Sequence, residues 1–308
     1  MKVFVTGASG FIGSAVLSEL ISSGHEVVGL ARSDEAAAKI KSINPAAKIL
    51  RGDLKDLEIL KKGATESDGV IHLGFVHDFK NFEQCCEIDR QATVAMLESL
   101  KGSNKPFLYT NGTLSLRPNK VANEQDGIDE DSKILRAVTE QVALSYKDKG
   151  VSARIVRLPF SVHGKGDKAF VPILMNIAKA AGKSGYVGQG TNAWAAVHRL
   201  DTAPLFRLVL EKGKTGQVYH CVGEQGIPFK DIARVIGEIL NVPVASIPVD
   251  DAESHFGFLT CFVTRDGPVS SEGTRKELGW QPQQIGLLED IRANYSLNRL
   301  EAYIMRFF

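Results

Sequence analysis

Along the first half of the chain, short apolar runs rich in β-branched residues alternate with stretches of helical period. Strand-like runs read KVFVT at 2–6, EVVGL at 26–30, KIL at 48–50, GVIHL at 69–73, PFLYT at 106–110 and ARIVRL at 153–158. Helical periods fall between them, near 11–23, 34–43, 56–63, 80–100 and 132–148. In the last of these Ser132 stands where a cap belongs, and Leu135, Val138 and Val142 recur at i, i+3 and i+7 along one side. Repeated β-α-β units predict a parallel sheet covered by helices on both faces, and right-handed crossovers make it a doubly wound α/β sheet.

After Pro159 the alternation breaks down. Helical periods lie near 168–182, 201–212, 228–240 and 271–278, and two further strand-like runs, AAVHR at 195–199 and QVYHCV at 217–222, are expected to return to the main sheet. The expected division is a nucleotide-binding domain over 1–158 joined by 195–225, with a smaller C-terminal substrate lobe from 159–194 and 226–298. Ligands of open α/β sheets sit at the carboxyl ends of the strands, so this lobe should cover that edge. The tail 299–308, RLEAYIMRFF, follows the last expected helix with an aromatic, mixed character and receives no role.

Composition adds exclusions rather than detail. The chain has 308 residues, 44% hydrophobic and 24% charged, with a net charge of +1. That balance gives no reason to expect a nucleic-acid or membrane partner. MKVFVTGASG enters the strand pattern directly, without a signal-peptide region. Cys85, Cys86, Cys221 and Cys261 lack CxxC spacing, so four reduced thiols, a cytoplasmic location and no metal site are expected. His72, His77 and Asp78 could ligate a metal by residue type alone, and nothing in their spacing argues for it.

The first chemistry lies in TGASGFIG, residues 6–13, between the first strand and the first helix. Gly7 suits a tight turn, Gly10 the close approach of a pyrophosphate, and Gly13 helix–strand packing. The amides around Ser9, Phe11 and Ile12 would then face the phosphates from the helix start. A glycine triplet alone is weak, but this one opens a βαβ unit, as a Rossmann dinucleotide site requires. The second strand ends in GLARSDE, where an acid would bond the ribose 2′-hydroxyl of NAD. Arg32 stands there with Ser33, and a guanidinium can fork onto a phosphate, so NADP(H) is expected. The other reading makes Arg32 a solvated residue and lets Asp34 serve NAD.

With TGASGFIG, RGDL at 51–54, HLGF at 72–75 and RLPFSVHGKGD at 157–167, the chain resembles the extended short-chain dehydrogenases/reductases, the NAD-dependent epimerase/dehydratase family. The resemblance covers nearly all of 1–298, and in detail it is similar to an atypical subgroup. It implies that Asp53 and Leu54 lie beside the adenine. Leu73, Gly74 and Phe75 would run along the adenosine ribose and pyrophosphate, Pro159 and Val162 would reach the nicotinamide, and Asn111 would join the cofactor contacts. It also implies dimerisation through the helices at 80–100 and 132–148.

Family members use a Ser/Thr after the fifth strand and a YxxxK pair on the next helix, with a glutamate four residues beyond the lysine. Glu140 fits that glutamate, which puts Arg136 at the lysine position and Ser132 at the tyrosine position. Tyr146 has Gly150 at +4, so no YxxxK stands in this segment. Thr113 in TNGT is the nearest hydroxyl to the usual serine, with Gly112 as its stricter equivalent, and Asp89 replaces a supporting asparagine. Arg136 cannot shuttle a proton, because a guanidinium does not deprotonate in proteins. It can orient the cofactor, or merely pair with Glu140 one turn on. Ser132 suits a helix cap better than a proton donor. His163 in SVHG is the preferred titratable substitute, while His198 should bond locally beside Asp201 and Tyr109 should pack.

Tyr186, Trp194, Phe256 and Phe258 either form the core of the lobe or wall an apolar substrate pocket. The expectation is an NADP(H)-dependent carbonyl reductase or dehydrogenase acting on a small, partly apolar substrate through a non-standard site. The alternatives are an NADP(H)-binding sensor with little or no turnover and, behind it, an epimerase or dehydratase.

Overall fold

The computed structural model describes residues 1–78, 81–129 and 135–295, so Ser132 and the tail 299–308 lie outside the described residues. The first half builds β1 (Lys2–Thr6), α1 (Phe11–Ser22), β2 (Glu26–Ala31), α2 (Asp34–Ile43), β3 (Lys48–Arg51), α3 (Leu57–Thr65), β4 (Gly69–His72), α4 (Phe82–Ser99), β5 (Pro106–Gly112), α5 (Leu135–Ser145) and β6 (Ser152–Leu158). Beyond Pro159 follow β7 (Ser161–His163), α6 (Phe170–Ala181), β8 (Ser184–Val187), β9 (Ala193–His198), α7 (Arg199–Lys212), β10 (Val218–His220), β11 (Glu224–Pro228), α8 (Phe229–Leu240) and β12 (Val244–Ile247).

The main sheet has seven strands in the order β10-β6-β5-β4-β1-β2-β3, all parallel. Side chains alternate across it. Val3 and Val5 join one buried cluster with α1 and α7, while Phe4 joins another with α3, α4 and α5. Both faces are therefore apolar, which is why these strands read as near-continuous hydrophobic runs. The strand order reverses between β1 and β4, the switch point where such sheets bind their ligands.

The sequence expectation for 195–225 needs correction. Val218–His220 enters the main sheet beside β6, but β9 pairs with β7 and β11 in a separate three-stranded sheet. The reason is that β9 is buried on all sides. Trp194 and Ala196 enter the core of the lobe, whereas Val197 enters the core of the main sheet. An apolar run buried on both faces reads the same in either sheet.

A second correction concerns α5. Leu135 and Val138 are 41% and 51% exposed, and the buried face is Ala137, Thr139, Glu140 and Ala143. Small residues let the helix lie close on the sheet, and the Glu140 carboxylate is satisfied by Asn111 of β5 and Arg157 of β6 rather than by water. The four cysteines are unpaired, three of them buried. No described helix is long and apolar enough to cross a membrane.

Candidate active site

The turn after β1 is shaped by close backbone contact. Gly7 has φ +69°, and the Gly10 N–H donates to its carbonyl at 2.8 Å. A Cβ on Gly13 would stand 2.1 Å from the Gly7 oxygen, and one on Gly7 would stand 2.9 Å from the Gly74 nitrogen. Glycine is needed at both positions to bring the turns after β1 and β4 together over the switch point. Gly10 caps α1 without a side-chain bond, so the first amides of the helix, around Phe11 and Ile12, stay open to an anion beside Ser9. Leu54 packs against Gly74 from the other side, within 3.0 Å of where a Cβ would lie. This cradle of bare backbone fits a dinucleotide pyrophosphate.

At the other end of the groove, Arg32 follows β2 and is exposed, with no ion pair among the described residues. The Ser33 hydroxyl caps α2 by accepting the Ala36 N–H at 3.1 Å. Asp53 holds a tight turn, its carboxylate accepting the Lys55 N–H at 3.1 Å. Asp34 does not stand free at this edge, because it is ion-paired with Arg51 at the end of β3.

The carboxyl ends of β4 and β5 carry a buried polar relay that the sequence only hinted at through Asp89. The Gly74 N–H donates to Thr6 Oγ1 at 2.9 Å, and that hydroxyl meets His72 Nδ1 at 2.6 Å. The Asp89 carboxylate faces His72 Nε2 with Oδ1 at 3.3 Å, which places the ring proton on Nε2 and makes Nδ1 the acceptor of the Thr6 hydroxyl. Tyr109 donates to the other carboxylate oxygen at 2.6 Å. Arg136 completes the relay. Its Nε lies 3.5 Å from Asp89 Oδ2, its Nη2 donates to the Thr110 carbonyl, and its guanidinium stacks 4.5 Å over the Phe75 ring.

Burial opposes the Asp89 charge, but Arg136, His72 and Tyr109 outweigh it and hold the carboxyl below its ordinary value. Burial likewise opposes the Arg136 charge, and Tyr109 and Asp89 more than offset it, so the guanidinium stays charged. Burial raises the Tyr109 phenol, which excludes it as an acid near neutrality. His77, met in the sequence only as a metal reading, lies edge-on to Phe75 at 5.3 Å. Burial and the neighbouring Arg136 lower its pKa.

The remaining candidates divide. Thr113 is 3% exposed, and its hydroxyl has no hydrogen-bond partner among the described residues. Asn111 turns its amide inward to Glu140 at 2.6 Å. Pro159 is buried and Val162 half-buried, both between β6 and the end of β7. Leu73 is half-buried after β4 and packs on the main core.

His163 does not stand with Arg136. It is 1% exposed and meets Asp290 Oδ2 at 2.9 Å, beneath the helix Leu287–Asn294. Burial acts against the Asp290 charge, and bonds from His163 and Asn294 hold the carboxyl below its ordinary value. His163, His198 and Asp290 bring donor atoms within 4.8 Å of one another. His198 Nδ1 accepts the Leu200 N–H at 3.2 Å, however, which assigns the ring proton to Nε2 and leaves no lone pair for a cation. The cluster ties the C-terminal helix to the strand ends, and the local bond of His198 is the one its position beside Asp201 suggested.

The aromatic residues of the second half also divide. Trp194 is fully buried, donates to the Phe262 carbonyl at 3.0 Å and packs on Phe160 and Phe229, and Phe256 lies in the same cluster. These two are lobe core. Tyr186 is half-buried at its edge, and Phe258 is 47% exposed.

Comparison with known proteins agrees with this fold. The model of the NAD dependent epimerase/dehydratase family matches residues 3–222. An uncharacterized protein of Saccharomyces cerevisiae is 99% identical over 298 residues, covering 97% of this chain and all of that one. A 4-hydroxy-2-methyl-3-oxo-4-farnesyl-3,4-dihydroquinoline-1-oxide ketoreductase of Stigmatella aurantiaca is 24% identical over 83% of this chain and 80% of its own length. Among solved structures, a dTDP-glucose 4,6-dehydratase of Streptomyces venezuelae with NAD and TYD bound superposes with a TM-score of 0.77 at 19% identity, covering 98% of this chain and 97% of that one.

Proposed function

This chain belongs to the NAD dependent epimerase/dehydratase family, and from that premise we propose that it is an NADP(H)-dependent oxidoreductase that reduces a small, partly apolar aldehyde or ketone. The observation that carries the reading is Arg136, held charged at the carboxyl edge of the sheet by Asp89 and the Thr110 carbonyl; three positions along the chain from Thr110, the Thr113 hydroxyl has no partner among the described residues. A nicotinamide nucleotide bound along the Gly7, Gly10 and Gly74 backbone supplies the hydride. Arg136 orients its ribose and places positive charge beside the oxygen that becomes an alkoxide. Thr113 donates a hydrogen bond to that oxygen, and the proton that completes the alcohol comes from water. Arg136 cannot give it, and His163 is turned onto Asp290.

Arg32 and Ser33 support a 2′-phosphate and hence NADP(H). The half-buried Phe75 ring beside Arg136 supports a substrate with an apolar part, as does the ketoreductase relative. Free thiols support a reducing compartment, and we place the protein in the cytoplasm. The exposed Leu135 and Val138 on α5 support pairing with a second copy through α4 and α5. Val138→Glu should then convert a dimer to a monomer in sedimentation velocity.

The decisive experiment is NADPH oxidation over a panel of aldehydes and ketones. Turnover is expected, with Thr113→Ala and Arg136→Ala each lowering kcat by about 10²-fold, the usual cost of one lost donor at a developing oxyanion. Tight NADPH binding without turnover on any carbonyl would replace the enzyme with a sensor.

A further inference from the structure

Arg51 ends β3 at the edge of the main sheet, and its Cα is the register partner of Ala31, the last residue of β2. Arg32 follows directly, so two guanidinium-bearing positions share the same corner, on strands about 4.8 Å apart. Arg32 is exposed, with no ion pair among the described residues, while Arg51 is paired with Asp34 in the first turn of α2. Asp34 is the first acid after β2, the kind of residue that would accept the ribose hydroxyls of NAD and repel a phosphate there. The Arg51 side chain is 51% exposed and that of Asp34 99%, so this pair is weak in water and its arginine can change partners cheaply.

We propose that Arg51 is a second specificity-determining residue for the cofactor, gripping a 2′-phosphate together with Arg32, with Asp34 as its displaceable counter-ion. The inference rests on the NADP(H) reading above and deepens it. Without phosphate, Arg51 holds Asp34 away from the ribose. When phosphate arrives, Arg51 exchanges a single carboxylate for a group of nearly two negative charges, and a fork geometry suits that exchange. The turn after β3, pinned by the Asp53 N–H donating to Asp56 Oδ2 at 2.6 Å, sets the direction in which the strand end points.

The test is calorimetric titration of the full chain with 2′,5′-ADP and with 5′-AMP, which differ only in the 2′-phosphate. Wild type should bind 2′,5′-ADP more tightly. Arg51→Ala should weaken 2′,5′-ADP about tenfold and leave 5′-AMP unchanged, the effect of one charged hydrogen bond. Asp34→Asn should tighten 2′,5′-ADP, because it frees Arg51. A purely structural pair would instead move both variants in the same direction, or neither. The inference is overturned if Arg51→Ala leaves 2′,5′-ADP binding unaltered while Arg32→Ala abolishes the preference, and the NADP(H) reading survives that result. If wild type does not distinguish the two nucleotides, both fall. Unchanged thermal unfolding of Arg51→Ala shows that the fold is intact.

Discussion

Helix α5 carries two buried ion pairs one turn apart, and they are built differently. Glu140 and Arg157 are at most 2% exposed, and the guanidinium meets the carboxylate at 2.6 and 3.1 Å. Asn111 and the Asp126 carbonyl fill their remaining valences. Arg136 and Asp89 approach only to 3.5 Å, Arg136 keeps 21% of its side chain exposed, and Arg136 Nε, Asp89 Oδ1 and His72 Nε2 lack well-formed hydrogen bonds. A closed pair repays its desolvation with bonds and serves the fold, whereas an open pair retains capacity for a ligand. Glu140 thus belongs to the framework, and the arginine one turn before it belongs to the candidate site.

Breaking the closed pair should have the largest effect. Arg157→Met leaves Glu140 buried and uncompensated and should remove about 3–5 kcal/mol of unfolding free energy in a denaturant titration. A loss below about 1 kcal/mol would make the two pairs alike and end the comparison.

The closed network should also respond to pH through His220, whose Nε2 lies 3.3 Å from Arg157. Burial and Arg157 push this histidine down to about 4. An unfolded histidine titrates near 6.5, so between these values the unfolded chain binds the extra proton. Stability is therefore complete above about pH 6.5 and falls toward about pH 4, by up to about 3 kcal/mol from this group. His220→Gln should flatten the slope, and an equally steep loss in that variant would remove His220 as its cause.

Opening the second pair should cost less stability and more chemistry. Arg136→Ala should lose about 1–2 kcal/mol, since Asp89 keeps its Tyr109 bond, alongside the fall in turnover. A stability loss matching that of Arg157→Met would mean that Arg136 is structural as well. The smallest effect belongs to the exposed pair at the ribose end. Asp34→Asn should change unfolding free energy by less than about 0.5 kcal/mol, and a larger change would show that the pair fastens β3 to α2.

Much of this was legible beforehand, for stated reasons. The central strands of the main sheet announce themselves because burial on both faces leaves mostly apolar runs, and TGASGFIG declares its turn because no residue with a Cβ fits Gly7 or Gly13. Arg136 and Asp89 could be singled out by register. Their contact could not, because it joins residues 47 positions apart on two helices (136 − 89). His163 was singled out by residue type, and residue type says nothing of which way a ring faces.

By itself the chain determined its local geometry: helix and strand periods, glycine turns, the residue at each position of α5. These follow from sterics and periodicity within a few residues. Tertiary structure decided which charges were spent. Partners from β5, β6 and the loop at Asp126 closed Glu140, and α4 left Arg136 half-open. The C-terminal helix took His163, and β3 brought Arg51 beside Arg32. Whether a buried polar group is satisfied depends on neighbours far away in sequence, and that difference separates framework from site.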